Sequence, residues 1–281
     1  QMYGTLTFAD VAAPAIKLAE KGFEVSSELS GIIKDNYEKL ANYNDPDKVP
    51  YFNDGLPLEP GDILRNPELA ATFRLIAEKG SEALYRGPVG EAIVAAVNKS
   101  GGNMTMQDLA DYDAVMRTPV KGTYRGLEII SMPPPSSGGT HLIEILNVME
   151  NYDVKALGHN TPAYMHTLAE VLKLVFADRA AYMADADFVK VPVTGLTSKE
   201  YAKTLFNQIS ADKVLKELKP GEPENFEHES TTHLTVIDEE GNIVSLTQTI
   251  NYFFASGVMA EGTGLLLNNE MDDFSTNPNS V

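Results

Sequence analysis

The sequence predicts an α+β protein. Apolar residues at helical spacing, often preceded by a capping residue, recur through the first two thirds of the chain. Residues 231–250 instead alternate and are rich in Thr, Val and Ile, a pattern typical of β-strands. The 281 residues are 43% hydrophobic and 22% charged, which is an ordinary globular composition. A chain of this length can bury a large core.

The predicted helices are marked by their ends. Gly22 stops the first helix, because glycine tolerates the left-handed backbone that follows a last helical turn. Asn66-Pro67 pairs a capping residue with proline at the first helical position. Thr197 and Glu200 have the spacing of a capping box before the last helix. We expect two helices within 9–41, a loop over 42–66, helices from residue 67, over 88–99, about 141–149 and about 161–183, and extended structure over 118–132.

The end of the chain predicts a β-hairpin. Two alternating segments, 231–238 and 242–250, flank the loop Glu239-Glu240-Gly241, with glycine where a left-handed backbone is needed. If the loop is centred on Glu240, Thr231 faces Thr249. Directly opposed residues have Cβ atoms about 4.5–5.5 Å apart, so the two hydroxyls could share a hydrogen bond. Thr–Thr pairs also simply stabilise sheets, and the spacing alone leaves both interpretations open.

The charge and the missing residue types exclude several function classes. The net charge is −18, from 40 acidic and 22 basic side chains, which disfavours nucleic acid and anionic membrane surfaces. The chain has no cysteine, so disulfides, thiol nucleophiles and thiolate metal sites are excluded. The five histidines form no H-E-x-x-H pattern, and no apolar run reaches transmembrane length. We expect no metal, no cofactor and no membrane span.

Thr231 is a candidate nucleophile that needs a base. A threonine hydroxyl is a poor nucleophile without one. If the Ser230–Thr231 bond is cut, Thr231 gains a free α-amino group with a reference pKa of about 7.7–8.0, which suits general-base work near neutral pH. Residues 219–230 are polar and contain Pro, Gly and four glutamates. Such an exposed linker can be opened without disturbing a core.

Long motifs occur along the chain, among them Thr231 through Val236, Thr249-Ile250-Asn251 and Leu267 through Phe274. They resemble the motifs of the γ-glutamyltranspeptidase (γ-glutamyltransferase) family of the N-terminal nucleophile hydrolase superfamily. The resemblance runs over nearly the whole chain and is strongest at the processing-site signature and at the acidic block that follows it. The segments that carry it are Tyr124-Arg125-Gly126, Ser131 through Gly139, Asp178-Arg179, Asp187 through Pro192, Thr231 through Val236, Gly241-Asn242, Val244-Ser245, Thr247, Thr249-Ile250-Asn251 and Leu267 through Phe274.

The resemblance implies a fold and a precursor organisation. The fold would be an αββα four-layer sandwich of the N-terminal nucleophile hydrolase type, of which this sequence is a part. Self-cleavage would fall between Ser230 and Thr231. Residues 1–230 would then be the C-terminal portion of the large-subunit region. Residues 231–281 would be the N-terminal portion of the small-subunit region, within the same sandwich domain. The resemblance also implies an extracellular or periplasmic location.

The resemblance further implies a reaction and its residues. Thr231 would take up the γ-glutamyl group of glutathione or another γ-glutamyl compound as an ester, and pass it to an amino acid, a peptide or water. Thr249 would support the nucleophile. Asn251, Glu270 and Asp273 would hold the substrate α-amino group, and two carboxylates with an amide oxygen match an ammonium in charge and hydrogen bonding.

The sequence departs from the family pattern in two respects. The Phe-Gly that usually ends the processing signature is Phe254-Ala255 here. The family's serine pair for the substrate carboxylate and its glycine pair for the oxyanion hole fall beyond Val281, and its carboxylate-binding arginine falls before Gln1. We therefore interpret the chain as an internal portion of a longer precursor, whose export signal would lie upstream.

Two alternatives to γ-glutamyl transfer remain for the function, and one motif has two interpretations. The same fold could serve an acylase or a poly-γ-glutamate processing enzyme, or the chain could be an inactive product or an acidic peptide-binding domain. Ser136-Ser137-Gly138-Gly139 could bind an anion at a helix start, since glycine-rich helix starts can do so. The preceding prolines favour a structural loop instead.

We predict that Thr231→Ala in the full-length protein abolishes both maturation and turnover, because one hydroxyl makes both attacks. Intact mass shows whether the chain is cut, and a γ-glutamyl-anilide assay reports turnover. Normal processing of this variant would remove Thr231 from the mechanism.

Overall fold

A computed structural model describes residues 4–216 and 232–273. The chain divides into two compact units. The first unit holds the described residues 4–114 and 232–273, and the second holds 115–216. Both units contain α-helices, and the described strands pair into five two-stranded antiparallel sheets. The predicted mixture of helix and strand is therefore confirmed.

The elements are numbered in chain order. The helices are α1 Phe8–Lys21, α2 Ser27–Asp35, α3 Tyr37–Tyr43, α4 Pro67–Lys79, α5 Glu82–Tyr85, α6 Pro88–Lys99, α7 Met106–Ala110, α8 Gly138–Met149, α9 Val154–Leu157, α10 Pro162–Tyr182, α11 Val193–Leu196 and α12 Lys199–Phe206. The strands are β1 Phe23–Glu24, β2 Phe52–Asn53, β3 Leu56–Pro57, β4 Ile63–Leu64, β5 Val120–Tyr124, β6 Leu127–Ser131, β7 Thr232–Ile237, β8 Ile243–Gln248, β9 Met259–Ala260 and β10 Leu265–Leu266. In the described part of the chain, 3-10 turns cover Pro46–Lys48 and Glu270–Asp273.

Local capping chemistry sets the predicted helix ends. Gly22 ends α1 at φ 82°, and its N–H donates to the carbonyl of Leu18 at 2.8 Å. Asn66 caps α4, because its Oδ1 accepts the N–H of Leu69 at 3.0 Å. Its Nδ2 also donates to the carbonyl of Gly264 at 2.9 Å, so one buried side chain both starts α4 and holds the segment after β9.

Three boundary predictions are wrong. Ser198, and not Thr197, caps α12: its hydroxyl accepts the N–H of Tyr201 at 3.1 Å. The Thr197 hydroxyl instead donates to the carbonyl of Val193. Residues 9–41 contribute to three helices, because Asn36 leaves helical geometry between α2 and α3. The helix α8 begins at Gly138 instead of His141, since the glycines form its first turn.

The first unit packs α-helices against the segment that follows the hairpin. One apolar cluster joins Val25, Ile33, Leu58 and Leu64, with Phe254 packed against it. A second cluster joins Ala96 of α6 to Val258 and Ala260, and Leu267 packs on it. These clusters bury the chain around residues 254–267 among helices and strands from the first hundred residues.

The second unit is built on α8. This helix packs on α10, α12 and β5, and its apolar core contains Val148, Met149, Val171, Leu174, Val175, Ala202 and Leu205. β5 and β6 pair in register from Val120 with Ser131 to Tyr124 with Leu127. Gly139 lies where an added Cβ would sit 2.1 Å from the carbonyl oxygen of Met132. That contact supports the structural interpretation of the Ser-Ser-Gly-Gly motif.

A polar network crosses the core of the second unit. His141 Nδ1 lies 2.8 Å from an oxygen of Glu144, whose side chain is 0% exposed. Burial, a hydrogen bond with Asp178 and the charge of Asp178 raise the pKa of Glu144 to about 10. The Tyr201 hydroxyl donates to Asp178 at 2.8 Å. Burial, with a smaller contribution from Arg179, lowers the pKa of His141 to about 4. Glu144 is therefore a buried, neutral acid, and its Oε1 has no hydrogen-bond partner among the described residues.

The neutral state of Glu144 predicts a pH dependence of stability. Glu144 is protonated in the folded protein up to a pKa of about 10 and ionises near 4.5 when unfolded, so its contribution declines as the pH rises between these values. We expect the wild type to lose on the order of 1 kcal/mol of unfolding free energy per pH unit above pH 7, relative to Glu144→Gln. His141 is neutral in both states there. Chemical denaturation at two pH values measures this.

The matched control is Glu128→Gln, which removes a carboxylate from an exposed ion pair with Lys121 in the same unit. It should keep the pH dependence of the wild type. Parallel pH profiles for the wild type and Glu144→Gln would show that Glu144 is ionised in the fold.

Candidate active site

The β7–β8 hairpin has the predicted register. Thr232 pairs with Gln248 and Ile237 with Ile243, which centres the loop on Glu240. The N–H of Gly241 donates to the carbonyl of Asp238 at 3.1 Å, and glycine takes φ 84° as expected. The position of residue 231 opposite residue 249 stays an expectation, which this register supports.

The predicted cleavage site lies outside the described residues. Ser230, Thr231 and the linker 219–230 all belong to the part of the chain that is not described. The contact between the hydroxyls of Thr231 and Thr249 therefore stays a prediction, as does the cutting of the bond before Thr231.

The structure brings three predicted site residues together after β8. The Thr249 hydroxyl accepts the backbone N–H of Asn251 at 2.9 Å. Asn251 takes φ 76°, and its side-chain nitrogen donates to Asp273 Oδ1 at 3.1 Å. The same nitrogen donates to the carbonyl of Asn269 at 3.1 Å. Thr249 and Asp273 are thus both tied to Asn251, one through its backbone and one through its side chain.

Glu270 lies in the same 3-10 turn as Asp273, but its carboxylate has a different environment. Its backbone N–H donates to Asn268 Oδ1 at 3.1 Å. Its Oε1 is buried, and within residues 4–216 and 232–273 it has no hydrogen-bond partner. No hydrogen bond among these residues joins the Glu270 side chain to Asn251 or Asp273. A buried acceptor without a donor is suited to receive one from a ligand.

Asn269 connects the two halves of the site, and the sequence analysis gave it no role of its own. Its Oδ1 accepts the N–H of Tyr252 at 3.2 Å, and its own N–H donates to the carbonyl of Ile250 at 3.3 Å. Its carbonyl accepts from the Asn251 side chain at 3.1 Å and from the N–H of Asp272 at 3.0 Å. Asn269 therefore fixes the loop at 250–252 against the acidic turn.

The site is electrostatically negative. The turn Glu270–Asp273 places three carboxylates within four residues. The pKa of Tyr252 is raised above its ordinary value, first by partial burial and then by the charges of Asp272 and Asp273. Among the described residues, no group of three or more His, Cys, Asp or Glu side chains could hold a metal ion. The three neighbouring carboxylates give the turn a negative charge that attracts cationic groups.

The departure at Phe254-Ala255 falls in a bend with unusual backbone angles. Phe254 takes φ 55° and Ala255 takes φ 47°, and glycine adopts such angles without a Cβ clash. Each left-handed L-residue costs about 1–2 kcal/mol. The Ala255 side chain is buried, and the Phe254 ring packs edge-on against Tyr51 with ring centroids 4.7 Å apart. The surrounding packing therefore holds this bend in place.

A known protein family matches the whole chain. A sequence profile described as "Gamma-glutamyltranspeptidase" matches residues 1–281. The chain therefore belongs to the γ-glutamyltranspeptidase family, and the family assignment suggested by its motifs is confirmed.

Individual relatives are similar to this chain over nearly all of its length. It is 43% identical to the glutathione hydrolase proenzyme of Escherichia coli over 98% of this chain and 48% of that protein. It is 44% identical to an Acylase ACY 1 proenzyme of a Pseudomonas strain, over 98% of this chain and 49% of that protein. The chain thus spans about half the length of these curated relatives.

A solved structure supports the fold. The crystal structure of Helicobacter pylori γ-glutamyltranspeptidase superimposes with a TM-score of 0.75 at 42% identity, over 81% of this chain and 65% of that chain. The likeness confirms the predicted fold class, the α+β αββα sandwich of the N-terminal nucleophile hydrolase type, to which this chain contributes a part.

We predict that Asn269→Ala lowers the unfolding free energy by about 1–3 kcal/mol, because the Tyr252 N–H loses its side-chain acceptor. The matched control is Asn268→Ala, which removes a more exposed acceptor from the N–H of Glu270 and should cost less than about 1 kcal/mol. Chemical denaturation of both variants measures the difference. Equal costs would mean that Asn269 does not fix the loop.

Proposed function

We propose that the protein that contains this chain transfers or hydrolyses γ-glutamyl groups through an acyl-enzyme on Thr231. The observation that carries the proposal is the hydrogen bond between the Asn251 side chain and Asp273, held next to Thr249. The hairpin register supports the expected position of residue 231 opposite Thr249. An acidic, amide-lined site therefore lies beside the expected position of the nucleophile.

The recognition step follows from the charge of the site. Asp273 and Glu270 supply carboxylates. The Asn251 side-chain nitrogen donates to Asp273 and Asn269, and its oxygen accepts no hydrogen bond from the described residues. A γ-glutamyl group carries an α-ammonium four bonds from its reactive carbonyl carbon. Binding the ammonium in the acidic turn would direct that carbonyl toward Thr231. Charge-assisted hydrogen bonds of this kind are stronger than neutral ones.

The chemical step uses the two functional groups of a terminal threonine. The Thr231 Oγ attacks the γ-carbonyl, and its proton passes to the free α-amino group of the same residue. That proton then goes to the leaving amine as the amide bond breaks, which leaves a γ-glutamyl ester. Water, or the amino group of an amino acid or peptide, attacks the ester and restores the Thr231 hydroxyl. Thr249 would support the nucleophile through its hydroxyl.

The precursor organisation is part of the same proposal. Self-cleavage between Ser230 and Thr231 would free the α-amino group and divide the chain into regions 1–230 and 231–281 of a large and a small subunit. Proenzyme relatives support this. Glutathione-like donors and an extracellular or periplasmic location are supported by family membership. Within the described residues, no helix has both the length and the apolarity needed to cross a membrane.

A second candidate is an acylase that acts on amides lacking an α-amino group. The 44% identity to an Acylase ACY 1 proenzyme favours it, and the same hairpin would serve it. A poly-γ-glutamate processing enzyme is a further variant of the same chemistry. These candidates differ in what the acidic turn binds, because a donor without an ammonium has no use for Asp273.

The test compares γ-glutamyl-p-nitroanilide with glutaryl-p-nitroanilide, which lacks the α-amino group. In the full-length protein, Asp273→Asn should lower kcat/KM for the γ-glutamyl donor at least about tenfold, because a charged hydrogen bond contributes about 1.5–3 kcal/mol. The glutaryl donor should be unaffected. Self-cleavage uses no ammonium and should continue, as checked by intact mass.

The matched control is Asp272→Asn, which removes the neighbouring carboxylate of the same exposed turn. It should keep donor kinetics close to those of the wild type. Unchanged kinetics in Asp273→Asn would make Asp273 a solvated turn residue and favour the acylase.

A further inference from the structure

Lys39 of α3 reaches the loop that follows the candidate site. Its Nζ donates to the carbonyl of Phe253 at 2.9 Å and lies 3.4 Å from the carbonyl of Ala255. Lys39 and Phe253 are separated by 214 residues in sequence. Partial burial lowers the pKa of the Lys39 ammonium. A cation is therefore held against backbone carbonyls on both sides of the left-handed pair Phe254 and Ala255.

The aliphatic part of the Lys39 side chain also packs closely against this loop. A Cβ at Gly257 would lie 2.7 Å from Lys39 Cγ and 3.1 Å from its carbonyl oxygen, so the loop approaches α3 as closely as only glycine allows. Asn44, just after α3, donates to the carbonyl of Gly257 at 2.8 Å and accepts the N–H of Met259 at 3.0 Å. The end of α3 thus contacts the loop backbone through these hydrogen bonds and through the close approach at Gly257.

The loop that α3 contacts follows directly after Asn251, a predicted substrate-binding residue. Asn251, Phe254 and Ala255 all take positive φ, three unfavourable residues within five. Such a loop keeps its shape only if its surroundings hold it. Asn251, whose side chain donates to Asp273, lies three residues before this bend in the same loop.

We propose that Lys39 is a positioning residue for recognition of the substrate ammonium. It acts through the carbonyls of Phe253 and Ala255, which fix the bend and through it the orientation of Asn251 toward Asp273. The inference rests on the proposed function, because it assigns Lys39 to the ammonium subsite and not to the nucleophile. It predicts an effect on donor affinity with little effect on the chemical step.

The alternative is that Lys39 only helps to hold the first unit together. Lys48 offers a matched comparison, because it also bridges from the early part of the chain to the segment after the hairpin. Its Nζ pairs with the side chain of Glu261 at 2.7 Å, and both side chains are largely exposed. It touches no loop carbonyl in the hydrogen bonds of the described residues. Lys48→Met removes a cross-segment cation without touching the bend.

The experiment uses the full-length protein as the wild type, Lys39→Met, Lys39→Arg and Lys48→Met. Each is assayed with γ-glutamyl-p-nitroanilide and with glutaryl-p-nitroanilide, and thermal unfolding is recorded. Lys39→Met should raise KM for the γ-glutamyl donor about tenfold, the effect of losing one charged hydrogen bond, with kcat little changed. The glutaryl donor should show no matching rise. Lys39→Arg keeps the cation and should stay close to the wild type, as should Lys48→Met.

The results that would contradict the role of Lys39 differ from those that would contradict the proposed function. A Lys39→Met protein that matches the wild type, loses activity equally on both donors, or fails to fold overturns the positioning role. So does a Lys39→Arg protein that is as impaired as Lys39→Met. A wild-type protein without preference for the γ-glutamyl donor overturns the proposed function instead, since the ammonium subsite itself would then be absent.

Discussion

The arrangement of the site depends on the register of the β7–β8 hairpin. In an antiparallel hairpin a slip of one residue moves every side chain to the opposite face. Here the short loop around Glu240 and the left-handed Gly241 fix the pairing from Thr232 with Gln248 onward. The same register sets where the chain leaves β8, and it is the basis for expecting residue 231 opposite Thr249. Asn251 and the acidic turn can meet beside the strand end only because that exit point is fixed.

A second constraint is the backbone of the segment that follows the hairpin. It holds several unfavourable left-handed residues, and side chains from the first hundred residues donate hydrogen bonds to several of its backbone carbonyls. Asn66 and Thr72 donate to the carbonyls of Gly264 and Thr263, at 2.9 and 2.8 Å. If the chain is cut before Thr231, these bonds and those from α3 would join the two pieces. The same contacts would then serve subunit association and site geometry together.

The sequence predicted what local chemistry determines. The centre of the hairpin follows from one glycine, and the start of α4 follows from Asn66-Pro67. The cap of α12 was misassigned because Thr197 and Ser198 are adjacent and equally suitable by type. The break at Asn36 was missed because the helical pattern continues across it. No sequence pattern indicates the contacts of Asn269 and Lys39, because both side chains bind backbone atoms. The two carbonyls that Lys39 contacts belong to residues 214 and 216 positions later in the sequence. The sandwich and the subunit division came from family resemblance and not from residue patterns.

The central claim is that Thr231 becomes a free N-terminal residue and carries the γ-glutamyl group. The most direct measurement is peptide mass spectrometry of the full-length protein quenched in acid during turnover of a γ-glutamyl donor. The account predicts a peptide that begins with Thr231 and carries one γ-glutamyl group as an ester on that residue. An uncut Ser230–Thr231 bond in an active protein, or an adduct on another residue, would contradict it.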